Sequence, residues 1–152
     1  MATLSQFTRA PIPAAGTWRK VGDKFEDLEI CIVGKPDDYT DRRDVLMKVA
    51  AKAKRNAVLA DDLPQIDKDR CAAKAFVEKR FGGIRGLFHD EKKTRPVTDE
   101  DLKAILLDIN PDNRELLIVC LMVMNDVDGT RVADLKDDEG NSVPPSGDTL
   151  TE

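Results

Sequence analysis

Hydrophobic and polar positions divide the chain into a short alternating region and four stretches of helical period. Thr17–Val21 and Phe25–Val33 read as strands. The second alternates, with Leu28, Ile30 and Ile32 on one face and Glu29 and Cys31 on the other. Val21-Gly22-Asp23-Lys24 supplies a turn between them, which predicts a β-hairpin near the amino terminus. After the breaker Gly34-Lys35-Pro36 the period lengthens. Thr40 can cap a helix through about Leu59, with Val45, Leu46, Val49, Ala53 and Ala57 as its apolar stripe. Leu63-Pro64 starts a second helix, in which Ile66, Ala73, Phe76 and Val77 face one way until Gly82-Gly83 stops it. Residues 84–96 then read as a loop. Thr98 opens a third helix carrying Leu102, Ile105, Leu106 and Ile109 at i, i+3, i+4 and i+7, and Thr98 with Asp101 resembles a capping box. Asn110-Pro111 breaks that helix and Asp112 opens the last, whose centre from Leu116 to Met124 is apolar on every side. A buried strand is the alternative for such a run, and the capping signals and charged first turn favour the helix.

These elements predict an α+β fold, a mainly helical single domain with an N-terminal β-hairpin and about four helices. Residues 1–16, with Pro11 and Pro13, read as an extended arm, and residues 17–125 as the globular part. Residues 126–152 form a polar, acidic tail whose composition is that of a disordered segment. No internal repeat is visible.

Composition narrows the possible functions. The chain has 152 residues, 41% of them hydrophobic, enough to bury a core. Its 24 basic and 29 acidic residues leave a net charge of −5, which argues against bulk capture of nucleic acid or an anionic membrane. The apolar run Leu116–Met124 falls short of the roughly 20 residues that span a bilayer. The first sixteen residues lack the apolar core of a secretory signal, so the expectation is a soluble protein of the cytosol, or of something assembled there. Cys31, Cys71 and Cys120 are odd in number and widely spaced, which suggests a reducing compartment and neither a disulfide framework nor a zinc site.

Each candidate for chemistry meets a plainer reading. A calcium loop framed on Asp126, Asp128 and Gly129 would put Met124 and Leu135 at its two end positions, where carboxylates are required, so an acidic turn is the simpler account. Gly82-Gly83-Ile84-Arg85-Gly86 could cradle a phosphate, but it lacks the preceding strand and the following Lys-Ser/Thr pair; a helix C-cap and turn fits better. His89 is the single histidine, with no nucleophile near it in the chain. No catalytic, cofactor-binding or metal-binding residue is therefore assigned.

Two surfaces remain as candidates for binding a protein partner. Residues 40–59 hold six basic side chains against two acidic ones, and Lys48, Lys52 and Arg55 are the residues expected to dock an acidic partner. Absence of interleaved aromatic residues speaks against nucleic acid at this face. In the last helix, Leu121, Met122 and Met124 could form an adaptable apolar surface, because methionine repacks easily; burial in the protein's own core is the competing reading.

Two segments give the chain a family resemblance. One is the strand pair followed by Asp38-Tyr39-Thr40 and Arg42-Arg43 entering an alanine-rich helix. The other runs from Phe81-Gly82-Gly83-Ile84-Arg85-Gly86-Leu87 to Arg95-Pro96-Val97-Thr98-Asp99-Glu100-Asp101-Leu102. Across residues 17–125 this order resembles the tail assembly chaperones of long-tailed bacteriophages, in which a G-(I/V)-x-G-L … P-(V/I)-(T/S)-x-E stretch often precedes two closing helices. Many of those sequences have tryptophan where this one has Phe81. The resemblance implies a small, mainly helical, non-enzymatic protein without cofactor in the cytoplasm of the host bacterium. There it would organise the tape-measure protein and recruit tail-tube subunits, and it could itself oligomerise. The alternative is a structural protein of the virion, from the neck, the tail or the capsid surface, bound to neighbouring subunits. A small enzyme finds no clustered site in the sequence, and a charge mimic built on the acidic tail is opposed by the basic helix.

Overall fold

The structure, a computed structural model, describes residues 16–54 and 56–142, with side chains described through residue 130. Residues 1–15 of the expected arm at 1–16, the basic residue Arg55 and the last ten residues of the expected tail lie outside the described residues. The fold is α+β and mainly helical. Three antiparallel strands, β1 (Thr17–Lys20), β2 (Glu29–Ile32) and β3 (Phe81–Arg85), lie in the order β1-β2-β3 beside four helices. These are α1 (Pro36–Lys52), α2 (Gln65–Lys79), α3 (Asp99–Leu107) and α4 (Arg114–Ser142).

The expected hairpin is present, paired from Thr17 opposite Ile32 to Lys20 opposite Glu29. Its connection is longer than the sequence suggested, because Asp23–Phe25 form a 3₁₀ turn and β2 starts only at Glu29. The alternation in β2 places Leu28, Ile30 and Ile32 in the core at 3% exposure or less.

The third strand corrects the sequence reading of residues 81–86 as a helix cap and turn. Gly82 is the extra residue of a bulge, since Ile32 pairs with Phe81 while Cys31 pairs with Gly83. A Cβ at Gly82 would lie 2.5 Å from Val33 Cγ1 and 3.0 Å from Cys31 Sγ, so the glycine permits the close approach of strand to strand. Gly86, at φ +82°, closes the strand where a side chain would run into the Asp27 carbonyl. Glycine-rich spacing thus signals a bulged edge strand here. Its edge is partly occupied, because Asp99 Oδ1, at the start of α3, accepts the Ile84 amide at 2.9 Å.

Helix α1 starts at Pro36, four residues before the expected cap at Thr40. Proline at a first helical position loses no hydrogen bond, and Asp37 and Asp38 complement the helix dipole in the first turn. It ends at Lys52 instead of Leu59. The chain folds back there, with the Val58 amide on the Ala51 carbonyl at 3.3 Å, and seats Leu63 in the interior while Leu59 is 74% exposed. The expected stripe is largely reversed: Val45 and Val49 face solvent, whereas Tyr39 and Ala51 are buried. The inward side of α1 packs through Tyr39, Leu46 and Ala51, so Leu46 alone of the expected stripe meets the core and the valines are left outside.

The remaining helices follow their patterns. In α2, Ala73 and Phe76 are fully buried, with Ile66 and Val77 packed around them. The capping box of α3 is formed in both directions, Asp101 N to Thr98 Oγ1 and Thr98 N to Asp101 Oδ2, each 3.1 Å. Leu102, Leu106 and Ile109 are buried behind it. Asn110 turns the chain into α4 by accepting the Asp112 amide at 2.8 Å.

Helix α4 continues through Ser142, where the sequence composition ended the globular part at residue 125. Val127 extends the buried stripe of Cys120, Val123 and Met124 by another turn and is 4% exposed. Asp128 is held by Arg80, whose side chain is 1% exposed. The guanidinium makes a two-pronged contact with Asp128, at 2.7 and 3.1 Å, and donates from Nε to the Val33 carbonyl at 2.7 Å. Asp128, which composition assigns to a tail, is therefore a tertiary anchor. Among the described residues, no helix is long and apolar enough to cross a membrane.

Candidate partner-binding surfaces

The hairpin connection and α4 face each other across an open groove of about 490 Å³. Val21 and Phe25 form one wall; Ile118, Met122 and Val123 form the other. Ile118 is 37% exposed and Met122 64%, although both belong to a helix whose opposite face is core. The spacing explains this: residues 118 and 122 are one turn apart, and 117, 120, 124 and 127 point the other way. Charged side chains rim the groove. Lys24 lies 3.9 Å from Glu115, and Arg19 donates to Asp126 at 2.8 Å and to the Thr130 hydroxyl at 3.3 Å.

The three residues of α4 expected to bind a partner therefore separate. Met122 projects into the groove. Leu121 is half-buried and belongs to a second cleft, of about 380 Å³, between α1, α2 and α4. Met124 is 4% exposed and sits in the core, so it does not share a surface with Met122. Ile118, Val21 and Phe25 were not singled out in the sequence; the only signal available was the i, i+4 relation of Ile118 to Met122.

Part of the charge that lines the second cleft is already satisfied. Buried Asp69 accepts from Gln65 Nε2 at 2.8 Å and from Arg114 Nε at 2.6 Å, and Arg43 lies over the Tyr39 ring at 5.6 Å. Burial raises the Tyr39 hydroxyl above its ordinary pKa, partly offset by Arg43.

The basic region around α1 is also less open than its charge count suggests. Arg42 pairs with Glu78 at 2.8 Å, Arg43 with Asp44 at 3.2 Å and Lys54 with Asp67 at 2.5 Å. Lys48 and Lys52 remain exposed without an ion pair among the described residues, and Arg55 is not described.

Other candidate groups have structural partners. The sheet face turned away from the core carries Trp18 across Gly83, with the Arg85 guanidinium stacked 4.0 Å from the ring centroid and paired to Glu29 at 2.7 Å. His89 Nε2 lies 3.1 Å from Asp101 Oδ2, and this contact, ahead of the Thr98 amide and hydroxyl, lowers the Asp101 pKa. Asp126 and Asp128 are engaged by Arg19 and Arg80. The three cysteines are buried, and desolvation pushes the Cys120 thiol up to about 12. Among the described residues no three His, Cys, Asp or Glu side chains converge as a metal site.

Comparison with known proteins adds no relative: no family model matches the chain, and neither a curated protein nor a solved structure matches it.

Proposed function

We propose that this protein is a tail assembly chaperone of a long-tailed bacteriophage, a binding protein without cofactor that acts in the host cytoplasm. It holds tape-measure and tail-tube proteins during tail morphogenesis. The observation that carries a binding role is the groove of Val21, Phe25, Ile118 and Met122, apolar inside and charged at its rim. A groove of this kind takes the apolar face of a helix, and a flexible methionine in its wall adapts to successive turns of a long one. Assignment to phage tails rests on the order of the motifs over residues 17–125, and the mainly helical α+β fold is compatible with it.

Quantitative mass spectrometry of purified particles beside the infected-cell lysate tests the assignment. A chaperone is abundant in the lysate and absent from particles. Stoichiometric presence in particles would replace this reading with that of a structural virion protein. The groove has its own test: Met122→Asp with Ile118→Asp removes co-purification of co-expressed tape-measure protein while the far-ultraviolet circular dichroism is unchanged. Retained binding would move the contact elsewhere.

A further inference from the structure

The solvent face of α1 carries a pattern that neither the core nor the groove uses. Asp38, Asp41, Val45, Lys48, Val49 and Lys52 are all exposed, the two valines at 50% and 61%. At 3.6 residues per turn these six positions fall within a wedge of about 100°. Their order along the helix is acidic, then apolar and basic, ending on Lys52. Along the strip Asp38 and Asp41 stand at i, i+3 and Lys48 and Lys52 at i, i+4, so each end displays a single sign of charge. None of the four has an ion-pair partner among the described residues, whereas their neighbours Arg42, Arg43 and Lys54 all do.

We propose that this strip is a two-fold interface, on which α1 pairs antiparallel with α1 of a second copy of the chain. A two-fold axis passing between Val45 and Val49 lays Val45 on the second copy's Val49 and brings Asp38 and Asp41 within reach of its Lys48 and Lys52. Each contact occurs twice, as a closed symmetric interface requires. The charge order admits the antiparallel arrangement and opposes the parallel one, which would set lysine against lysine. A hollow of about 270 Å³ beside the strip is lined by Asp38, Asp41 and Val45 and also by Arg42 and Lys79, so the interface rests on the charge order of the strip itself. The apolar part is small, so the dimer is weak and salt-sensitive. This pairing leaves the groove beside α4 unused and does not depend on the chaperone reading.

Sedimentation velocity of the full chain over a concentration series tests it. The wild-type chain moves from one copy toward two as concentration rises, and higher salt weakens the association. Lys48→Glu with Lys52→Glu makes the strip uniformly acidic, and Asp38→Lys with Asp41→Lys makes it uniformly basic. Each variant alone loses at least about tenfold in affinity, and an equimolar mixture of the two regains the dimer. Any of three results would overturn the proposal: a wild-type chain that stays single throughout, either variant associating alone as the wild type does, or a mixture that stays dissociated.

Discussion

Helix α4 buries Leu117, Cys120, Val123, Met124 and Val127 and holds Asp128 against a buried arginine, whereas α1 buries Tyr39 and Ala51 and turns its valines outward. Both helices carry apolar residues at helical spacing. The difference lies in what each has to pack against. The sheet offers α4 the side chains of Ile30 and Ile32, and the alanine-rich side of α2 offers α1 a close but shallow fit. A helix that supplies the core can display Ile118 and Met122 on a rigid support. One that rests on a neighbour is free to vary on its outer face.

The contrast is sharpest for ion pairs. Asp128→Asn leaves the Arg80 guanidinium buried beside a neutral amide and should cost about 3 kcal/mol or more in urea unfolding. Asp44→Asn on α1, whose partner Arg43 is 37% exposed, should cost under about 1 kcal/mol. Equal losses would mean that α4 is not the better anchored of the two.

Next in size is a pair of methionines two residues apart. Met124→Ala removes core volume and should destabilise by about 2–4 kcal/mol, while Met122→Ala should stay within about 0.5 kcal/mol. Differential scanning calorimetry of the two variants reads this directly.

Thiol labelling at pH 8 extends the comparison to dynamics. Cys120, with its pKa near 12, stays protonated and enclosed, and should react only through unfolding. A cysteine introduced by Val49→Cys on α1 should label at the rate of a free thiol. The same shift has a pH consequence. Because the folded value lies above the ordinary 9.0, the stabilising contribution of the neutral thiol is complete below pH 9 and is lost as pH rises toward 12.

The smallest effect belongs to neither helix and calibrates the others. His89→Ala removes the leading cause of the lowered Asp101 pKa, so the Asp101 carboxyl should titrate at higher pH by NMR. In the wild type the contribution of the ionised Asp101 is present above the ordinary carboxylate range and fades as pH falls through its lowered value.

How much of this was readable in the sequence varied with the kind of signal. The hairpin alternation, the α2 stripe and the Thr98 capping box depend on neighbours in the chain, and they stand in the structure as expected. The third strand was not readable, because the space around Gly82 is set by Cys31 and Val33, some fifty residues earlier. The extension of α4 was hidden for a related reason. Asp126, Asp128 and Gly129 are turn formers by composition, and what keeps them helical includes Arg19 and Arg80, which no local window contains. Of the expected binding residues, Lys48, Lys52 and Met122 are on the surface and Met124 is not. An apolar run identifies a helix worth inspecting and leaves its orientation open.

The carboxylate of Asp99 on the Ile84 amide reaches beyond α3. Strand β3 lies at the edge of the sheet, and an unpaired amide there would be an invitation for another chain to add a strand. A single side chain occupies that position, while exposed Lys20 puts positive charge on β1 at the opposite edge. The sheet is thus guarded against runaway growth. For a chain that leaves Ile118 and Met122 exposed in a groove, such a guard limits association to side-chain contacts and keeps strand addition out.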